Sequence, residues 1–265
     1  MKKNMTSRIA GYVTVLVYTF MFLPVVLVIL LSFSSSMFSI FPIEDISLQW
    51  YIQLFRNVRI IQALKTSLLL ASLTSIVSTT CGVLAALGMV RYDFPGKRAI
   101  STILVAPILL PEVVLAVGLL IFLQQISVQR SFLLLFLGHV TFTLPFVILI
   151  VQARLVVLRS EFEYAARTLG ATRLQTFFSI TLPLIRPAVL AGMLFSFAIS
   201  FDDITGSLFW RPGTMETVPT KIFSMLRTSI SPEINALATV MIIITVFVPL
   251  LGVALARRST LIRDA

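Results

Sequence analysis

Six apolar runs, almost free of charged residues, divide this 265-residue chain, and they restrict its fold more tightly than any other feature. They run over Tyr12–Phe33, Ser67–Val90, Ile100–Leu123, Phe132–Val151, Ala188–Phe201 and Asn235–Ala256. A bilayer core of about 30 Å is crossed by roughly 20 residues of helix, and in hydrocarbon every backbone N–H and C=O must find its partner within the segment. The expected fold class is therefore all-α, a polytopic membrane protein with about six transmembrane helices. The fifth run reaches spanning length only if it begins inside the preceding segment or continues past Phe201. Composition agrees: 58% hydrophobic and 12% charged residues exclude a soluble enzyme and a disordered tail. The single cysteine, Cys81, excludes an intrachain disulfide. A nucleic-acid partner would need a basic domain for which the chain has no room.

The first run follows the basic segment Met1–Arg8, as the core of a secretory signal would. Such cores hold about 7–15 apolar residues, and this run is longer, so it reads as a retained span. An even number of spans places both termini on one side of the membrane. Fourteen of the 21 Lys and Arg residues fall on that side, among them Lys2, Lys3, Arg8, Arg91, Lys97, Arg98, Arg154, Arg159, Arg167 and Arg173. The excess of basic loops marks the cytoplasm, so both termini are expected there.

The longest break on the cytoplasmic side, Gln152 to Pro187, carries a helical pattern of its own. Ser160 followed by Glu163 has the spacing of a capping box. Ala165, Ala166 and Leu169, then Leu174, Phe177 and Phe178, recur at helical intervals on either side of Gly170. The pattern predicts two short amphipathic helices joined at a glycine, either anchored at the interface or offered to a soluble partner.

The string Ala165-Ala166-Arg167-Thr168-Leu169-Gly170-Ala171, followed by Ile180-Thr181-Leu182-Pro183 and Pro187-Ala188, resembles the cytoplasmic EAA loop of the membrane subunits of binding-protein-dependent ABC importers. Tyr164 stands at the motif's glutamate position, and Glu163 lies one residue early. The resemblance covers essentially the whole chain and, although importers of other cations, phosphonates or opine-type compounds share much of this framework, is strongest to the membrane subunits of spermidine/putrescine importers. It is carried by Leu48-Gln49-Trp50-Tyr51, Arg91-Tyr92-Asp93-Phe94-Pro95-Gly96-Lys97, Gly138-His139-Val140-Thr141-Phe142, Ser200-Phe201-Asp202-Asp203 and Ser231-Pro232-Glu233-Ile234-Asn235.

The resemblance implies a type I importer permease fold. Its transmembrane permease domain would cover 12–256, with a coupling loop at 152–187 and cytoplasmic ends at 1–11 and 257–265. It further implies a multi-pass subunit in a bacterial cytoplasmic (inner) membrane. The implied partners are a dimer of ATP-binding subunits, a second homologous permease, a periplasmic or extracellular substrate-binding protein and a polyamine-like substrate. Coupling to the ATPase would fall to Glu163, Tyr164, Ala165, Ala166, Gly170, Ala171, Ile180, Leu182 and Pro183.

No cofactor site is visible in the chain itself. Gly96-Lys97 lacks the upstream glycine and the following hydroxyl of a phosphate-binding loop, so ATP and Mg are expected on the partner ATPase. The motifs His-Glu-x-x-His, Gly-x-Gly-Asp and Gly-x-Ser-Gly are absent. That disfavours the alternative from another class, an intramembrane enzyme using Glu112 and Asp202 as an acid/base pair.

Glu112 lies well inside the third run, where a carboxylate costs roughly 3 kcal/mol on insertion scales and is expected to face protein, water or a cation. The neighbouring Pro107 and Pro111 predict a locally broken helix. Asp202 and Asp203 close the fifth run at a comparable depth. Consecutive residues on a helix point about 100° apart, so either the helix unwinds there or the two acids have different roles, one of them capping the next helix. An extended polycation needs carboxylates spaced along it and aromatic faces between them, a character that Trp50, Glu112, Asp202 and Asp203 share. The resemblance adds Ser200 to this path. His139 reads as a hydrogen-bonded contact between helices and stays outside the set. Pro219 to Pro232, with Ile222, Met225, Leu226 and Ile230 at helical spacing, predicts an interfacial helix on the outer face.

Overall fold

The computed structural model describes residues 5–36, 45–228 and 231–261. The expected terminal segments 1–11 and 257–265 are thus described only in part, and Ile230 lies outside the described residues. In chain order the helices are α1 (Met5–Leu31), α2 (Gln49–Arg56), α3 (Val58–Arg91), α4 (Lys97–Leu109), α5 (Glu112–Gln125), α6 (Phe132–Val157), α7 (Glu161–Thr168), α8 (Arg173–Thr176), α9 (Leu182–Asp202), α10 (Thr205–Trp210), α11 (Val218–Thr228) and α12 (Pro232–Leu261). Among the described residues, five stretches are long and apolar enough to cross a membrane: Ile9–Leu31, Val58–Arg91, Phe132–Val157, Arg173–Asp202 and Pro232–Ala254. The bent pair α4 and α5 passes the same test of length and apolar character only when taken together, and would make a sixth crossing if counted as one span. The all-α, polytopic reading holds.

The break predicted in the third run is present, and the fifth span reaches its length by starting inside the preceding segment. The third run is not one helix over Ile100–Leu123, because α4 and α5 meet at 112°. Leu110, the residue before Pro111, is extended at φ −89°, ψ 140°, as the following pyrrolidine ring requires, and α5 restarts with Leu115 N–H donating to the Pro111 carbonyl at 3.1 Å. The fifth span begins not at Ala188 but at Arg173, and it carries a π-helical turn over Phe177–Thr181. Pro183 has no N–H to donate one turn back, and the wider turn lets Leu182 N–H reach the Phe177 carbonyl instead.

The chain forms two compact units, residues 1–62 with 221–244 and residues 63–220 with 245–265. In the first, α1 buries none of its apolar stretch within the chain. A short antiparallel bridge joins Ser34 to Ile46, and α2 is fixed by Trp50 and Leu54, which are buried. In the second, α6 packs along α9, while α10 packs against α5 and α6. One core cluster joins Leu70, Ala116, Leu120, Leu134, Leu135 and Trp210. Trp210 fits only because Gly138 and Gly206 offer no side chain: a Cβ at either position would run into its indole ring. Its Nε1–H donates to the Ala116 carbonyl at 3.0 Å, which ties α10 to α5. A second cluster, Val83, Ala86, Val147, Val151, Leu155 and Ile185, packs α3, α6 and α9 together.

The loop after α6 differs from expectation in two respects. Ser160 does not cap: its backbone is already helical at φ −68°, ψ −17°, and its side chain makes no cap hydrogen bond. The capping box lies instead at Thr172, whose Oγ1 accepts from Gln175 N–H at 3.3 Å while Gln175 Oε1 accepts from Thr172 N–H at 2.8 Å. The second helix of the loop, begun by α8, is also not a separate surface helix but the first turns of the fifth span. Between them, α7 ends as the glycine implied. Gly170 has φ +93°, its N–H bonds to the Arg167 carbonyl at 3.0 Å, and Ala171 N–H bonds to the Ala166 carbonyl at 3.1 Å. This paired closure needs a left-handed residue, which glycine adopts without strain.

Candidate functional site

Helix α9 stops at Asp202 because Asp203 turns extended, at φ −67°, ψ 122°. The two aspartates therefore leave the helix with different surroundings. Asp203 points into the second unit, where its side chain is only 6% exposed. It accepts from Gly206 N–H at 3.2 Å, Ser207 N–H at 2.8 Å and the Ser207 hydroxyl at 3.1 Å, so it secures the start of α10, the capping role left open for one of the pair. Asp202 is exposed on the surface of the chain and accepts from the Thr245 hydroxyl of α12 at 2.9 Å.

The break at Leu110–Pro111 places Glu112 in the first turn of α5, and its carboxyl group faces Asp203, the Gly206 N–H and the Thr205 hydroxyl. Glu112 and Asp203, 91 positions apart in the chain, thus meet at the start of α10. Two carboxylates in a partly desolvated setting repel unless a proton or a cation lies between them. Beneath Asp203 lies His139, 2% exposed, with Nδ1 2.8 Å from Ser200 Oγ and Nε2 3.1 Å from both Ser207 Oγ and Asp203 Oδ2. Of the residues expected on a path, Glu112, Ser200 and Asp203 gather here, and Asp202 stands beside them on the outward surface. Trp50 belongs to the other unit, where it is buried and its Nε1–H donates to the Ser34 carbonyl at 2.6 Å. His139 is the hydrogen-bonded contact between helices that the sequence suggested, although it was left outside the path set. Its only signal was a lone imidazole one helical turn before Thr143, whose hydroxyl donates back to the His139 carbonyl at 2.9 Å.

At the far end of the second unit, Glu163 of α7 faces inward. Its Oε2 lies 3.0 Å from Arg91 Nε at the end of α3, and its Oε1 accepts from the Thr181 hydroxyl at 2.9 Å. Arg91 also donates through Nη2 to the Leu158 carbonyl at 3.1 Å. Tyr164, the next residue, is 63% exposed, as expected for a step of about 100° around the helix. Leu169, at the end of α7, is 89% exposed.

Residues 78–260 match the family model described as "Binding-protein-dependent transport system inner membrane component". The chain belongs to this family. The spermidine/putrescine transport system permease protein PotC of Escherichia coli strain K12 is 35% identical over 250 residues, covering 94% of each chain. The putrescine transport system permease protein PotI of the same organism is 33% identical over 232 residues, 85% of this chain and 82% of its own. Among solved structures, a bacterial ABC transporter involved in the import of the acidic polysaccharide alginate contains a chain that matches with a TM-score of 0.73 at 18% identity, over 97% of this chain and 98% of that one. The protein is thus a multi-pass inner-membrane permease of an ABC importer, with the fold of that class. Its work is transport, carried out together with a substrate-binding protein and ATPase subunits.

Proposed function

We propose that this permease forms the translocation path for a polyamine-like cation such as putrescine or spermidine. Glu112, Asp202 and Asp203, with Ser200, are the path residues of the second unit, and Trp50 is the path residue of the first. The observation that carries the reading is the meeting of the Glu112 and Asp203 carboxyl groups at the membrane break. An ammonium group is the natural partner of such a pair, and an anion would be repelled. The substrates in the names of the PotC and PotI relatives support the same class. The fold alone carries no such information, since its neighbour imports an acidic polysaccharide. In this reading both termini are cytoplasmic and a second homologous permease completes the path. The segment from Glu163 through Gly170 to Pro183 transmits ATPase closure to the spans, with Glu163 acting through Arg91 and Thr181 rather than as a free contact.

The test is ATP-dependent uptake into proteoliposomes holding the complete complex with its binding protein. Labelled spermidine or putrescine should accumulate, and unlabelled polyamine but not sulfate should compete. Uptake of an anionic or neutral solute by a complex that leaves both polyamines outside would overturn the assignment.

A further inference from the structure

The carboxyl pair rests on a residue that the transport reading has not used. Asp203 lies in extended backbone between α9 and α10, so side-chain hydrogen bonds, rather than a helix, set the direction of its carboxylate. The bonds from Gly206 and Ser207 come from within its own turn. From outside the turn come the Glu112 carboxyl group and His139 Nε2, the latter at 3.1 Å. The donors allow one self-consistent arrangement for a neutral ring. The Ser207 hydroxyl donates to Asp203 Oδ2, so it has no proton to offer the imidazole. Nε2 must then carry the hydrogen and donate toward Asp203. Nδ1, left as acceptor, takes the Ser200 hydroxyl proton across 2.8 Å. Every polar atom of the ring is satisfied, and Ser200, at 4% exposure, has no second role open to its proton. Trp210 stands edge-on to the ring, with centroids 6.0 Å apart, and limits its rotation.

We propose that His139 is a positioning residue for transport: Ser200 fixes its tautomer, its Nε2–H holds Asp203 against Glu112, and the spacing of the two carboxyl groups, hence their hold on a passing ammonium group, depends on that bond. The inference rests on the reading of Glu112 and Asp203 as path carboxylates. It also recasts Ser200 as a residue that acts through the imidazole, not on the substrate.

Two replacements separate the two nitrogens. Gln carries an amide N–H at the reach of Nε2, and Asn carries its amide at the reach of Nδ1. In proteoliposomes of the complete complex, spermidine uptake is measured beside ATP hydrolysis stimulated by the binding protein. His139→Asn should lower uptake roughly tenfold or more, the effect of losing one charge-assisted hydrogen bond, while hydrolysis and complex yield change less than about twofold. His139→Gln should keep uptake close to the parent complex. A merely structural histidine would lower yield, hydrolysis and uptake together in both variants, and equal uptake by the two overturns the proposal.

Ser200→Ala gives a second reading that stands even if His139→Asn assembles poorly. It should lower uptake several-fold in the parent protein, on the order of one neutral hydrogen bond, yet cost nothing further in the His139→Gln background, where no acceptor awaits the serine proton. The same loss in both backgrounds would place Ser200 on the substrate and overturn the relay. The underlying path reading is checked separately in the same vesicles. Unchanged spermidine uptake with Glu112→Gln would remove the path carboxylates themselves, whereas loss there beside equal Gln and Asn variants at position 139 removes only the role of His139.

Discussion

Asp202 and Asp203 are chemically identical neighbours, and the structure predicts that replacing each by Asn will have unequal consequences for stability. Asp203 accepts four hydrogen bonds, from Gly206 N–H, Ser207 N–H, the Ser207 hydroxyl and His139 Nε2–H, in a site where its side chain is 6% exposed. A hydrogen bond to a charged group contributes about 1.5–3 kcal/mol and a neutral one about 0.5–1.5, so neutralising the acceptor weakens four bonds by about 1 kcal/mol each. Removing a buried charge also removes its desolvation cost and its repulsion with the Glu112 carboxyl group, which together offset about half of that loss. The expected net effect of Asp203→Asn is about 2 kcal/mol, roughly a thirtyfold shift toward the unfolded or open form of the α9–α10 turn. Asp202 accepts a single bond, from Thr245, and Asp202→Asn should cost no more than about 1 kcal/mol. Thermal unfolding of the purified complex in detergent, with immunoblotting of membrane abundance, reads the difference directly. Equal melting temperatures for the two variants would refute the argument that Asp203 organises the turn. A lower melting temperature for Asp202→Asn than for Asp203→Asn would reverse it.

Gly138→Ala should destabilise the chain by about 1–3 kcal/mol by driving a methyl group into the Trp210 ring, seen as lower melting temperature and as tryptophan fluorescence shifted toward the exposed form. Gly170→Val places a β-branched residue at φ +93° and should cost on the order of 1–2 kcal/mol at the end of α7, reducing ATPase stimulation while the permease still inserts. Wild-type stimulation in that variant would count against a coupling role. Reporters fused after Arg98 and after Arg159 should behave as cytoplasmic and one fused in the Arg211–Glu216 loop as external, and a cytoplasmic Arg211–Glu216 fusion would overturn the proposed orientation.

The spans were legible because apolar length is a one-dimensional property. Where side chains deceived, the cause was local. Arg59 and Lys65 hid the first turns of α3, which begins at Val58 rather than Ser67, and the Thr- and Gln-containing segment from Arg173 hid the start of the fifth span. The break at Leu110–Pro111 could be read in advance because the constraint of a proline on its predecessor needs no tertiary information. The capping box was misplaced because spacing cannot tell that Glu163 has stronger partners in Arg91 and Thr181. The candidate site was half visible: Glu112 and Asp203 stood out as charges at membrane depth. His139 was legible as a hydrogen-bonded contact between helices but not by its partners, since Ser200 and Ser207 are 61 and 68 positions away.

The inward turn of Glu163 bears on how freely parts of such permeases can be exchanged. A coupling helix taken from a relative with its acid at the position of Tyr164 would present that charge to solvent and leave Arg91, whose side chain is 17% exposed, with the Leu158 carbonyl but no carboxylate. A half-buried guanidinium without a carboxylate is costly, so the graft would loosen the end of α3 even if it met its own ATPase well. Compatibility between this permease and a borrowed loop therefore depends on residue 91 as much as on the loop. A working chimera should carry the partner of Arg91 with it, or replace Arg91 by an uncharged residue such as Met.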